Sequence, residues 1–208
     1  SKTQFSYYKN KYHLSGKQNN KVVYNGIFFQ KMNLKVKRSI REELKISIAP
    51  LLLASVGSFN KGRDQLTICR FLKLLSDKKI DFLFLFIGKK VESESHLFDD
   101  CVSFCEVNNI SNQVAFLGNR KDVPSILHQI DAFVYSTIHD TFGIAVIEAI
   151  ASKVPVFVND WEVMREITEN GKYVNIYQSK NEHDLMHHFM KFLSNRKEYQ
   201  LKAIHAST

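Results

Sequence analysis

No apolar run in the 208 residues approaches the length needed to cross a bilayer. The first residues, Ser1-Lys-Thr-Gln-Phe5, lack the apolar core of a signal peptide. Cysteine is scarce: three thiols, Cys69, Cys101 and Cys105, give no disulfide framework and fit a reducing cytoplasm. Cys101 and Cys105 have helical spacing, but no second thiol pair completes a zinc site, so they read as small buried hydrophobes. No Asp-x-Asp run offers a metal clamp for a diphosphate, and neither an internal repeat nor a low-complexity tract is present. His183, His187 and His188 also have helical spacing, yet no acid-water chemistry converges on them, and a surface cluster is the simpler reading.

What is present suits one large domain, or a domain with an appendage, and a sizeable core. A hydrophobic content of 44% with 24% charged residues places the chain among ordinary globular proteins. The net charge of +8 is unevenly spread. Residues 1–45 carry eleven Lys and Arg against Glu42 and Glu43, a net of +9, and the remainder sums to −1. A basic flank of this kind suits a solvated linker or a peripheral contact with anionic lipid at the inner face of the plasma membrane. No nucleic-acid-binding signature accompanies it.

Short apolar runs alternate with helical patterns. Leu51–Gly57, Asp81–Gly88, Gln113–Gly118, Ala132–Tyr135 and Val154–Val158 read as buried strands, and Lys172–Tyr177 as an edge strand. Helices are expected over about Leu66–Ser76, Ser95–Asn108, from Pro124, Ile144–Ala151, Trp161–Ile167 and Asn181–Ser194, the last closing the chain. Glu162, Arg165 and Glu166 are expected to pair along their own helix. Lys21–Ile27 reads as a short strand ending in an Asn-Gly turn. The alternation predicts an α/β fold, a Rossmann-like, doubly wound parallel sheet with helices on both faces. Such sheets bind ligands beyond the carboxyl ends of their strands.

Three strand-to-helix turns then fall on one sheet edge. Gly57-Ser58 with Lys61 and Arg63 gives a glycine turn carrying cations, a plausible phosphate cradle. Arg63 is favoured for the diphosphate because its fork binds two oxygens. The second turn is Leu117-Gly118-Asn119-Arg120 with Val123. The third, after Tyr135, holds Asp140, Thr141, Phe142 and Gly143 before a helix that is apolar nearly all round. Asp140 or Thr141 is the expected N-cap. The N–H groups of Phe142, Gly143 and Ile144 are expected to be free for an anion. Glu148 sits on that apolar helix, sharing a face with Ile144, Ala145 and Ser152. A charge there is costly without a partner.

The run Asp140–Glu148, two acids separated by seven residues with Phe-Gly between them, resembles the donor-site signature of retaining glycosyltransferases of GT-B fold, family GT4 in particular. The resemblance extends over about Val22–Asn195. It implies one half of a GT-B fold: a basic remnant or linker over 1–45 from an acceptor domain ahead of residue 1, and a nucleotide-sugar-binding domain over 46–208. It implies a nucleotide-diphosphate sugar as donor, UDP favoured, and no metal cofactor. Arg63 would act on the diphosphate with Lys61 in support, Glu148 on the ribose hydroxyls and Asp140 on the donor sugar. The Leu117–Val123 turn would form the base pocket. Three departures stand out. The family's usual Gly-Arg pair is Gly57-Ser58 here, and its usual Lys is Arg63. The first acid, more often Glu, is Asp140. Enzymes of this look often build bacterial surface glycans such as O-antigen or capsule, on a glycan or lipid-linked acceptor. A GT-B nucleotide-sugar epimerase, a non-catalytic nucleotide-binding module and a flavodoxin- or receiver-like domain are the other readings. The last predicts an acidic pocket at the end of the first strand, where this chain has Ser58, Lys61 and Arg63.

Overall fold

Short runs of β-branched and aromatic residues bounded by polar turns form strands that must be covered on both faces. The computed structural model describes residues 1–12, 21–27, 32, 38–47 and 50–207. Among them the elements run α1 (Lys2–Lys11), α2 (Ile40–Glu43), β1 (Leu51–Val56), α3 (Gln65–Asp77), β2 (Phe82–Ile87), α4 (Ser95–Val107), β3 (Val114–Phe116), α5 (Val123–Leu127), β4 (Ala132–Tyr135), α6 (Ile144–Ala151), β5 (Val156–Asn159), α7 (Glu162–Ile167), β6 (Asn175–Tyr177), α8 (Glu182–Ser194) and α9 (Arg196–Ala206). The strands form one parallel sheet in the order β3-β2-β1-β4-β5-β6. The chain winds outward from β1 to β3, crosses back to β4 and winds outward again to β6. The direction of winding therefore reverses between β1 and β4.

Period-two alternation divides the core. Leu53, Phe84, Phe86, Val134 and Phe157 face the side covered by α3, α4 and α8. Leu52, Ala54, Leu85, Phe133 and Val158 face the side covered by α5, α6 and α7. Phe71 of α3 meets Phe189 of α8 edge to face, with ring centroids 5.2 Å apart. Burying each such ring contributes about 1.5–3 kcal/mol.

Several expectations are revised. Lys21–Ile27 forms no strand: it has no ladder partner among the described residues, and instead Tyr24 lies against Phe142, ring centroids 6.0 Å apart. The chain does not close at Ser194; α9 follows, and Tyr199 on it packs on Phe192 at 5.6 Å. Arg165 and Glu166 do not pair along α7. Arg165 turns to Asp160 at 3.8 Å. Glu166 reaches across to the start of α1, accepting from the Lys2 and Thr3 N–H groups at 2.6 and 2.9 Å and from Thr3 Oγ1 at 2.6 Å. Free N–H groups at a helix start attract an anion, which outcompetes an exposed pairing within a six-residue helix. Burial pushes the Glu166 carboxyl up, but the bonds from Thr3, Lys2 and Tyr24 outweigh it and hold the group at about 2.

The segment before β1 is also tied to the sheet domain. Ile40 is buried and its N–H donates to Gln129 Oε1 at 2.9 Å. Glu43 pairs with Arg120 at 2.6 Å. Lys17, Lys31, Lys35 and Lys37 of the basic flank lie outside the described residues.

The carboxyl ends of β1, β2 and β3 meet at three glycines. Gly57 N–H donates to Ile87 O at 2.9 Å and Gly88 N–H to Gly118 O at 2.8 Å. A Cβ at Gly88 would stand 2.0 Å from Gly57 O, a backbone atom with nowhere to go. At Gly118, φ is +62° and a Cβ would meet nothing within 4 Å. Gly88→Ala is therefore expected to cost about 3 kcal/mol or more, and Gly118→Ala only about 1–2 kcal/mol of backbone strain. Urea denaturation of the two variants checks the ranking.

Candidate functional site

The loops after β1 and β4 flank the reversal point, where doubly wound sheets place their ligands. They are stitched to each other. Thr137 Oγ1 donates to Gly62 O at 2.6 Å, the Ile138 and His139 N–H groups donate to the same oxygen at 3.1 Å, and Asp64 N–H donates to Ser136 O at 3.2 Å. The loop after β4 is also held from β5. Asn159, fully buried, accepts from Thr137 N–H at 2.9 Å and donates to Thr137 O at 2.8 Å.

Asp140 sits at the centre of this arrangement. Its Oδ1 accepts from Phe142 N–H and Gly143 N–H, both at 3.1 Å. Its Oδ2 accepts from Arg63 Nη1 at 2.6 Å and from the Tyr135 hydroxyl. A carboxylate offers about four lone-pair sites, so all are filled. Arg63 also lies over the Tyr135 ring, 4.6 Å from its centroid, a cation–π geometry. Burial lowers the Arg63 pKa and Asp140 pulls it back up; the guanidinium stays charged.

The expected cap is thus corrected. Neither Asp140 nor Thr141 caps α6; Gly143 takes that position, at φ +79°. The left-handed backbone strains any residue with a Cβ, and a Cβ there would also press on the flexible Met164 Cε at 2.7 Å, so glycine is favoured. Asp140 closes the turn ahead of the helix, and the Phe142 and Gly143 N–H groups expected to be free are its donors. The N–H groups of Ile144 and Ala145 meet no acceptor among the described residues. They remain available for an anion.

One turn further along α6, Glu148 is half-buried with no hydrogen-bond or ion-pair partner among the described residues. Desolvation raises its pKa above the ordinary glutamate range. An unpaired, partly desolvated carboxylate in a cleft marks a functional position more often than a structural one.

A cleft of about 340 Å³ brings these groups together. Of the expected residues, Gly57, Ser58, Arg63, Asp140, Thr141, Phe142, Gly143, Ile144, Ala145 and Glu148 line it. Lys61 does not: its side chain is exposed and its N–H donates to Glu94 at 3.0 Å. Leu117, Gly118, Asn119, Arg120 and Val123 are not on its wall. Gly118 stands at the same sheet edge through Gly88, whereas the Arg120 guanidinium is engaged by Glu43 and Asp122 at 2.6 and 2.7 Å. Sequence reasoning missed Tyr135 and Asn25. Tyr135 read as strand core, although a polar group at the carboxyl end of a strand beside the reversal point was a usable signal. Asn25 carried no signal beyond its turn with Gly26.

A six-stranded 3-2-1-4-5-6 parallel sheet with an acidic and cationic cleft at its reversal point defines a Rossmann-like, doubly wound fold with its candidate site where such sheets bind ligands. A family profile described as glycosyl transferases group 1 matches residues 36–206, and the chain belongs to that family. Solved structures agree on the fold. A glycosyltransferase from Rickettsia africae superposes with a TM-score of 0.84 at 15% identity, over 100% of this chain and 58% of that one. Alr3699/HepE of Anabaena in complex with UDP and glucose gives 0.79 at 18% identity, over 90% and 50%. WaaG, a glycosyltransferase involved in lipopolysaccharide biosynthesis, gives 0.81 at 17% identity, over 98% and 55%. The chain spans little more than half the length of these relatives. No curated protein matches it in sequence.

The raised pKa of Glu148 gives a testable pH dependence. Below the ordinary glutamate pKa of about 4.3 the carboxyl is neutral in both folded and unfolded chains, and Glu148→Gln changes stability little. As pH rises through the raised folded value, the wild-type chain loses stability that the variant keeps. Without ligand, Glu148→Gln is therefore expected to melt higher than wild type at neutral pH, with the gain vanishing in acid. Thermal melts across that range check it.

Proposed function

We propose that the chain is the donor-binding half of a retaining, metal-independent glycosyltransferase of the GT4 type, taking a UDP-sugar. It would serve the synthesis of a bacterial surface polysaccharide such as O-antigen or capsule. The observation that carries this reading is the cleft at the reversal point. It combines an internally paired cation, two unused helix N–H groups and an unpaired carboxylate within one wall. Uridine as the base rests on the resemblance to this family, and the UDP complexes of HepE are compatible with it. The acceptor, a glycan or a lipid-linked saccharide, would be presented largely by a further domain. The three unpaired cysteines are compatible with a cytoplasmic setting, and the basic flank with peripheral attachment to anionic lipid.

In this reading the donor enters by exchange. Its diphosphate draws Arg63 from Asp140 and meets the N–H groups of Ile144 and Ala145. Asp140 Oδ2 then accepts from a sugar hydroxyl. Glu148, desolvated but unpaired, accepts from the ribose hydroxyls, which offsets the cost of its burial. Transfer breaks the anomeric C–O bond, with the electron pair leaving on the diphosphate oxygen. The acceptor hydroxyl oxygen bonds to the anomeric carbon, and its proton passes to the departing phosphate. Arg63 and the backbone dipoles stabilise the charge that develops on that phosphate.

Calorimetric titration of the chain with UDP, GDP and ADP, with magnesium or with a chelator, tests the proposal. Saturable binding of UDP, unchanged by magnesium, is the expected result. Arg63→Ala is expected to weaken UDP roughly ten- to hundred-fold, the worth of a charge-assisted bond, and uridine far less. An equal loss for both removes Arg63 from the phosphate role.

A further inference from the structure

A second cavity, of about 510 Å³, opens on the other side of Asp140. Its walls are α1, the turn His139–Asp140 and the start of α7. Tyr7, His139 and Trp161 supply aromatic surface, and Gln4 and Glu162 supply an amide and a carboxylate. Asp140 is the one residue lining both this cavity and the donor cleft. We infer that this cavity binds a pyranose ring of the acceptor. The inference rests on the donor reading for the neighbouring cleft.

Three observations carry it. First, the volume lies within the range of small-molecule sites and accommodates a sugar unit. Second, the charge is wrong for a second phosphate. Among the described lining residues there is no Lys or Arg; Glu162 makes no ion pair among the described residues, while Asp140 is already engaged by Arg63. A neutral polyol that donates hydroxyl hydrogens suits carboxylate acceptors, and its C–H face suits aromatic rings. Third, Trp161 is held by packing alone. Its indole N–H is buried away from solvent with no acceptor among the described residues, so what Trp161 offers the cavity is ring surface and not a donor.

The geometry is fixed rather than incidental. Glu166 clamps the first turn of α1 through three hydrogen bonds of 2.6 to 2.9 Å, which holds Gln4 and Tyr7 over the cavity. The ring centroid of His139 stands 6.2 Å from that of Trp161, edge-on. A sugar in this cavity and a donor sugar in the cleft would approach the same carboxylate from opposite sides.

Trp161 is the single tryptophan of the chain, so its fluorescence reports on this cavity alone. The chain, first saturated with UDP, is titrated with the methyl pyranosides of glucose, galactose, mannose and N-acetylglucosamine. The expected result is a saturable change in Trp161 emission with at least one of them. That glycoside should bind Glu162→Gln about ten-fold more weakly, the loss of one hydrogen bond to a charged acceptor. No change with any of the four, in a chain that binds UDP, overturns the proposal and leaves the donor reading intact. So does an emission change that Glu162→Gln leaves untouched. Absence of UDP binding is a separate result that counts against the donor reading itself.

Discussion

Everything at the ligand edge of this sheet depends on one saturated carboxylate. Asp140 gathers two peptide N–H groups, a guanidinium and a phenol on its two oxygens. The peptide bonds fix the turn that delivers Gly143 into its left-handed conformation and so aims α6. The bond to Arg63 fastens the loop after β1 to the loop after β4. A charge pair this deep is a poor source of net stability, because both ions give up much of their water. Its value is conformational: it holds a cation, ready but occupied, where an anion would otherwise meet an empty hole. Binding there replaces one set of charge-assisted bonds by another. Affinity then reports a difference between partners and not their sum, which suits discrimination between ligands that differ by one phosphate.

Glu148 obeys the opposite logic. No protein donor among the described residues answers it, and desolvation makes its charged form costly in the unliganded fold. One acid is over-satisfied and the other under-satisfied, within the same turn and helix. That contrast is the clearest sign that the cleft is built for hydroxyl-rich and anionic groups at neighbouring positions.

Much of this was legible from residues alone. The five buried strands and the doubly wound order followed from short apolar runs separated by helical patterns. Asp140 and Glu148 were visible through their spacing around Phe142-Gly143. What escaped notice has physical causes. The helix α9 buries only Ala203 fully among its own residues, so it shows almost no amphipathic stripe to read. Lys21–Ile27 had the composition of a strand but no neighbour to pair with. Tyr135 reads as core because its ring is core, while its hydroxyl donates to Asp140 at the cleft. Glu166 looked like a helix-surface charge because its true partners, Lys2 and Thr3, lie more than 160 residues away in sequence. The resemblance supplied the class of chemistry; it did not supply the Arg63–Asp140 pairing, which only the coordinates reveal.

The stitching between the two loops has a consequence for how the site comes into being. Arg63 and Asp140 are 77 residues apart, Thr137 and Gly62 75 apart, and Tyr135 and Tyr177 42 apart. None of these bonds exists in a chain that has formed only its local helices and the β1–β2 pair. The first two wait until β4 has crossed the sheet and docked beside β1, and the third until β6 has joined β4 through β5; each is a slow, entropically expensive closure of a non-local topology. The cleft is therefore among the last features to assemble and among the first to dissolve, so loss of ligand binding should precede loss of helix on gentle unfolding.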